Sequence, residues 1–280
     1  MYIEKTKLTT THQIATKEAL KDYYTAYLSR QLSILGRREV HNGRAHFGIF
    51  GEGKEVVQMA YAKNFRKGDW RSGYYRDQTF MLALNLMQPE EFFAMIYGDT
   101  DDEINPSTGG RNFNNHFCTT NITPEGEIKN LADKYNSASD VSSTGGQMPR
   151  MLGLAQAAKI ARRQPDIVKH LKNNIKGNEV VFGSIGDAST SEGIFWETIN
   201  AAGVMQVPLA VAVYDDGFGI SVPVELQTTK SSISEALKGF EKENGSNGIK
   251  IYRCKGWNYP GLIKTFKNGI DYCRENQTPV

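Results

Sequence analysis

The sequence predicts an α/β fold, a mainly parallel sheet with helices on both faces, and three observations carry that prediction. Two short apolar runs, Glu179 to Ile185 and Val207 to Val213, flank a segment whose apolar residues Ile194, Phe195, Ile199, Ala202 and Gly203 recur at helical spacing. Each run ends in turn residues, Gly186-Asp187-Ala188-Ser189 after the first and Asp215-Asp216-Gly217 after the second. The length of 280 residues allows one large α/β domain or two small ones and is ample to bury a core.

The elements follow in order. From Gln13 to Leu35 a stripe of Leu20, Tyr24, Tyr27, Leu28 and Leu35 predicts a packing helix. Glycines break any regular element in the tract Gly43 to Glu55. An aromatic loop, Asp69 to Asp77, precedes a helix at Pro89 to Tyr97. The next tract, Gly98 to Phe117, is polar, glycine-rich and broken by Pro106, so it forms neither a continuous helix nor a central strand. The turn Ser142 to Pro149 opens a helix of small apolar residues, Leu152 to Ala161, and a basic surface connection runs on to Asn178. Beyond the central strand, helix and strand, a helix is expected from Ser231 to Gly245, a strand from Ile249 to Arg253 and a helix from Tyr259 to Arg274. That last helix is expected to return the chain to the sheet, with a further strand beginning near Thr278-Pro279-Val280.

Composition excludes several classes. The net charge of +2, with no basic block, argues against nucleic acid or an acidic membrane surface as partner. No apolar run approaches a membrane span, and the first residues lack a signal-peptide pattern, so the chain reads as cytoplasmic. Cys118, Cys254 and Cys273 have no metal-ligand spacing and read as reduced thiols. Asp99, Asp101 and Asp102 lack the distal glutamate of a calcium loop and read as a solvated turn.

The chemistry concentrates at the strand ends. If the two apolar runs are neighbouring parallel strands, Asp187 and Asp216 stand together at their carboxyl ends, where open α/β sheets bind ligands. Adjacent carboxylates call for a shared proton or a hard cation, and the following helix start offers amides to a phosphate. An ordinary turn with two solvated aspartates is the alternative. Arg76 suits bidentate contact with phosphate, or else a surface ion pair with Asp77 or Asp69. Glu192 and Asn200 fall near one helix face, from which Asn200 could bridge polar groups under the site.

From Gly186-Asp187-Ala188 to Asp215-Asp216 the segment resembles the thiamine diphosphate motif, which opens with Gly-Asp-Gly and closes just under thirty residues later in an Asn pair. It is most similar to the α part of the decarboxylating component of 2-oxo acid dehydrogenase complexes, a transketolase-like, thiamine diphosphate-binding fold. The resemblance implies Mg²⁺ ligands at Asp187, Asp216 and the carbonyl of Phe218, and cofactor contacts from Tyr74, Tyr75, Arg76, Thr144, Gly186, Ala188, Ser189 and Ile220 as well. It makes His46 a candidate to face the substrate, and it matches Gly109-Gly110-Arg111 and His116 to a Gly-Gly-Arg tract with a nearby histidine. The chain departs from the motif at Ala188, which replaces the second Gly as is common in this family, and at Asp215-Asp216, which replace the Asn pair.

The implied activity is thiamine diphosphate- and Mg²⁺-dependent oxidative decarboxylation of a 2-oxo acid, with acyl transfer to a lipoyl-bearing acyltransferase. Thr190-Ser191-Glu192-Gly193 and the Gly-Gly-Arg loop look more like the branched-chain enzymes than the pyruvate enzymes. A β part, separate or fused, supplies a glutamate to the cofactor in this family, so the chain alone is expected not to turn over. A homo- or hetero-oligomer is implied. The expected organisation is an N-terminal helical segment, 1–40, and a cofactor domain, 41–280, truncated at its C-terminus. Two other readings stand beside this one: a non-catalytic homologue that keeps the fold, and a nucleotide-binding dehydrogenase, for which the Gly-x-Gly-x-x-Gly fingerprint is missing.

Overall fold

The computed structural model describes residues 16–168 and 175–280, so Gln13 to Ala15 of the first expected helix and part of the basic connection lie outside the described residues. The elements are α1 (Thr16–His41), α2 (Glu55–Ala62), β1 (Trp70–Arg71), α3 (Gln78–Ala83), α4 (Pro89–Tyr97), β2 (Asn136–Ser137) and α5 (Gln147–Arg163), then β3 (Val181–Gly186), α6 (Gly193–Met205), β4 (Leu209–Tyr214), β5 (Phe218–Gly219), β6 (Val222–Pro223), α7 (Ile233–Ala236) and α8 (Tyr259–Asn276). Strands β2, β1, β3 and β4 form a four-stranded sheet in that order, every pair parallel. Strands β5 and β6 pair separately as an antiparallel hairpin.

Both faces of the sheet are covered, which is why β3 is buried along its whole length and reads as a continuous apolar run. Phe182, Ala210, Ala212 and Tyr214 point to one side, into a core with residues of α2, α3 and α8. Val181, Ile185 and Leu209 point to the other, against Met148, Met151 and Ala155 of α5 and Phe195, Ile199 and Ala202 of α6. A Cβ at Gly183 would lie 1.9 Å from the Met151 sulfur, so the close approach of α5 to β3 requires glycine there.

Helix α1 buries a different face from the one its apolar stripe predicts. Leu20, Tyr24, Tyr27 and Leu35 are exposed, whereas Asp22, Ser29, Leu32, Ser33 and Gly36 are buried. The reason is polar: the Gln78 amide donates to the Ser29 carbonyl at 2.7 Å and the Ser33 hydroxyl at 2.9 Å, and the Ser29 and Thr79 hydroxyls are 2.6 Å apart. Arg30 clamps the first residue of α2 through a two-pronged pair with Glu55, at 2.6 and 2.9 Å. Helix α4 matches its expected span, with Pro89 in the first turn and a reciprocal capping box between Gln88 and Glu91.

Two expectations fail in the last fifth of the chain. The helix expected from Ser231 to Gly245 is a single turn, α7, followed by a 3₁₀ turn over Leu237–Phe240 that contains the poor helix former Gly239. The expected strand at Ile249 to Arg253 reduces to one bridge between Glu241 and Ile249 and a single bond from the Lys250 amide to the Pro279 carbonyl at 2.8 Å, after which Tyr252 and Arg253 are exposed. The expected return to the sheet is present: the Val280 amide donates to the Leu209 carbonyl and its carbonyl accepts the Val211 amide, both at 2.9 Å, alongside β4. Among the described residues, no helix is long and apolar enough to cross a membrane.

Candidate functional site

The parallel register sets Gly186 against Tyr214, so the chain leaves β3 and β4 at the same edge, with Asp187 next to Asp215 and Asp216. Asp187 is 2% exposed, its amide donates to the Tyr214 carbonyl at 3.1 Å, and its Oδ2 accepts the Gly217 amide at 3.1 Å. Burial raises the Asp187 carboxyl above its ordinary value; the carboxylates of Asp216 and Asp215 add to that, and the amides of Ala188 and Gly217 oppose it. The sequence expected a helix immediately after the small residues. Instead, the Thr190 amide and hydroxyl both donate to the Asp187 carbonyl, at 3.0 and 2.5 Å, closing a 3₁₀ turn over Ala188–Ser191, and α6 begins only at Gly193.

Asp216 faces outward. Its Oδ1 accepts the Phe218 amide at 3.2 Å and its Oδ2 accepts the Lys54 ammonium at 3.0 Å. The β5–β6 hairpin beyond it presents exposed Phe218 and, at its tip, a fully exposed Ile220 with φ of +58°. A β-branched residue in the left-handed region costs on the order of 1–3 kcal/mol and marks a place where the backbone is over-determined. The hairpin packs on the turn after β3, since a Cβ at Gly219 would lie 2.6 Å from that of Ala188.

The loop after β1 arrives at the same edge. Buried Asp77 holds it, Oδ2 accepting Arg71 Nε and the Tyr74 amide at 3.0 Å each and Oδ1 accepting the Ser184 hydroxyl of β3 at 2.5 Å. Tyr74 is buried, which pushes its phenol well above the ordinary value, and its hydroxyl would stand 3.0 Å from a Cβ at Gly186. Arg76 Nε donates to that hydroxyl at 3.2 Å, Nη1 donates to the Phe50 carbonyl at 2.9 Å, and the guanidinium lies 5.5 Å from the centre of the Tyr75 ring. Arg76 is therefore not in the surface ion pair that was its alternative reading, because Asp77 is engaged by Arg71 and Asp69 by Arg274.

The structure thus brings Tyr74, Tyr75, Arg76, Gly186, Asp187, Ala188, Ser189, Asp216, Phe218 and Ile220 to one edge of the sheet. Among the described residues, no hydrogen bond or ring contact joins His46, His116 or Thr144 to that group. His46 is exposed and without a hydrogen-bond partner among the described residues. His116 is 2% exposed: its Nδ1 faces the Phe113 and Asn114 carbonyls at 3.2 Å, so it carries the hydrogen, and Nε2 accepts from the Ser142 hydroxyl at 2.8 Å. Thr144 is exposed in the turn before α5; a Cβ on the adjoining Gly145, at φ +74°, would come within 3.0 Å of Ile194 on α6.

Asn200 is exposed on α6, on the face turned away from the core, so it does not bridge groups under the site as its spacing suggested. The glycine-rich tract is held by side-chain amides, with Ile49 bonded to Asn114 at 3.0 and 2.6 Å and to Asn115 at 2.8 Å. A cleft of about 520 Å³ opens between this tract, Arg76 and the Arg37, Val40 and His41 side of α1. Sequence reasoning missed Lys54 and Asp77. An acid directly after the Tyr-Arg pair is a local signal for the second, whereas nothing near Lys54 announces its partner.

The sequence matches the dehydrogenase E1 component family over residues 23–242. It is 26% identical over 250 residues to the 2-oxoisovalerate dehydrogenase subunit alpha of Bacillus subtilis (strain 168), covering 86% of this chain and 65% of that protein. To the pyruvate dehydrogenase E1 component subunit alpha of Acholeplasma laidlawii it is 26% identical over 261 residues, 93% of this chain and 62% of that one. To the 3-methyl-2-oxobutanoate dehydrogenase subunit alpha of Mycobacterium tuberculosis it is 25% identical over 199 residues, 71% and 42% of the two chains. The chain spans less than two thirds of the length of each of these relatives. Since the match takes in β1, β3, β4 and the loops that carry Arg76, Asp187 and Asp216, this chain belongs to the dehydrogenase E1 component family.

Proposed function

We propose that this chain is the diphosphate- and metal-binding half of a thiamine diphosphate-dependent 2-oxo acid dehydrogenase, acting on a branched-chain 2-oxo acid or pyruvate. The observation that carries the reading is Asp187, a buried carboxyl at the carboxyl end of a parallel strand, crowded by two further carboxylates and held by amides. A hard dication relieves that crowding, so the residues present fit Mg²⁺. Glycine at 186 and 219 lets the elements of this edge pack closely, since a Cβ at Gly219 would lie 2.6 Å from that of Ala188 and one at Gly186 would stand 3.0 Å from the Tyr74 hydroxyl.

In this reading Asp187, Asp216 and the Phe218 carbonyl hold the metal, and Arg76 directs its remaining N–H donors at the diphosphate. Tyr74 and Asp77 fix Arg76 by anchoring its loop. Tyr75, Thr144, Gly186, Ala188, Ser189 and Ile220 line the cofactor, while His46 and His116 are the candidates on the substrate side. The cofactor, when bound, contributes nucleophilic addition to a 2-oxo carbon and acceptance of the electron pair released with carbon dioxide. A β part completes the site, and a lipoyl-bearing acyltransferase receives the acyl group.

The test is a calorimetric titration of thiamine diphosphate into the chain, alone and with its β part, with and without Mg²⁺. Saturable, metal-dependent binding is expected, with no decarboxylation by the chain alone and activity once the β part is added. Absence of binding in every arm overturns the reading and favours a homologue that keeps the fold without the cofactor.

A further inference from the structure

Lys54 stands at the N-cap of α2 and makes no capping bond there, and its positive charge opposes the helix dipole. Locally it is a poor choice. Its position is nevertheless firm, because its amide donates to the Gly51 carbonyl at 3.2 Å and the adjoining Glu55 is clamped by Arg30. From this rigid base the side chain, only 15% exposed, crosses to Asp216 Oδ2 at 3.0 Å, a partner 162 residues away. Asp187, Asp215 and Asp216 follow the ends of β3 and β4 at this edge without forming a three-acid cluster among the described residues, and Lys54 is bonded to Asp216 alone of the three.

We propose that Lys54 is the built-in counter-charge of Asp216, so that the pair presents a bound diphosphate with the net charge of a neutral amide. The inference rests on the reading that Asp187 and Asp216 hold the metal of a diphosphate. An unpaired carboxylate at 216 would attract a bare dication but repel the diphosphate that accompanies it. Removing the ammonium therefore has opposite effects on the two ligands, which a general loss of structure does not.

The experiment titrates the chain with Mn²⁺ alone, followed by electron paramagnetic resonance, and with thiamine diphosphate plus Mg²⁺, followed by calorimetry. Lys54→Met is expected to bind Mn²⁺ roughly fivefold more tightly and the cofactor roughly fivefold more weakly, the effect of one charge a few ångströms away in a water-exposed site. Lys54→Gln serves as a second neutral variant, and Lys54→Arg is expected to behave as wild type. Combining Lys54→Met with Asp216→Asn is expected to return both affinities to near wild type. Unchanged Mn²⁺ binding in both neutral variants, a fall in both affinities together, or no recovery in the double variant overturns the proposal. If wild type fails to bind cofactor even with its β part while the Mn²⁺ results hold, the cofactor reading falls and the counter-charge stands.

Discussion

Two clusters of charge lie within one sheet of this molecule and are built on opposite principles. Around Arg71, which is 1% exposed, the circuit is closed: Asp77 and Asp140 each give it a carboxylate, Ser137 accepts another of its N–H groups, the amides of Tyr74 and Phe117 share the Asp77 Oδ2 and Asp140 Oδ2 that Arg71 also engages, and Asp77 Oδ1 takes the Ser184 hydroxyl. Burial alone would lower the Arg71 guanidinium, and the Asp140 and Asp77 carboxylates outweigh it and raise it. Around Asp187 the circuit is open, since no cation pairs with the buried acid among the described residues and the neighbouring acids push it upward. A closed network spends its bonding capacity on fixing the loop from Ser72 to Asp77. An open one retains capacity for a ligand.

The sharpest way to break this contrast is to open the closed cluster. Arg71→Met leaves two buried carboxylates without a cation and is expected to cost about 3–5 kcal/mol in equilibrium urea unfolding. A loss below about 1 kcal/mol would mean that the cluster is not the closed circuit its distances describe. The complementary change, Asp187→Asn, is expected to weaken binding of Mg²⁺ and thiamine diphosphate by about a hundredfold or more, beyond the loss of a supporting contact, in the same calorimetric titration.

The same substitution has a stability signature of the opposite sign. Because the folded Asp187 carboxyl is raised above its unfolded value, its ionised form counts against the fold at neutral pH, and that penalty is relieved as pH falls through the folded value. The Asn variant keeps an acceptor for the Gly217 amide and loses the charge. Without ligand it is expected to melt no lower than wild type at pH 7, and the gap is expected to close as the pH approaches the ordinary carboxylate range. A variant that melts several degrees lower at pH 7 would make Asp187 a structural group.

How much of this could be seen in the sequence follows the same division. Strands β3 and β4 were legible because both faces are apolar, and α4 because Pro89 and Glu91 mark its start. Strands β1 and β2, two residues each, were not, because Trp70-Arg71 and Asn136-Ser137 enter the sheet through backbone pairing with distant residues, such as the Trp70 amide with the Val180 carbonyl and the Ala138 amide with the Arg71 carbonyl, and are too short to show apolar alternation. The stripe on α1 misled for a related reason, since Ser29, Ser33 and Gly36 allow close polar packing that a hydrophobic pattern cannot signal. At the site, Asp187, Asp216 and Arg76 were visible as turn residues after strands, and their placement together follows from register. The Lys54–Asp216 pair was invisible because its members are 162 residues apart and joined only by the fold.

Arg76 lies between the two kinds of cluster and gives the intermediate test. It is partly buried and bonded to the Tyr74 hydroxyl and the Phe50 carbonyl, both neutral acceptors, so it keeps its charge for something else. Arg76→Met is expected to weaken cofactor binding about tenfold, comparable to the loss of one charge-assisted contact, while costing no more than about 1 kcal/mol in unfolding. The smallest effect belongs to pairs in neither cluster. Asp271 meets Arg66 at 3.0 Å and also contacts Lys267, but Arg66 and Lys267 are 56% and 55% exposed and water competes for both. Asp271→Asn is expected to change the unfolding free energy by less than about 0.5 kcal/mol and cofactor affinity not at all. A larger cost would show that an exposed pair contributes here as a buried one does, and the distinction between closed and open charge in this fold would have to be drawn elsewhere.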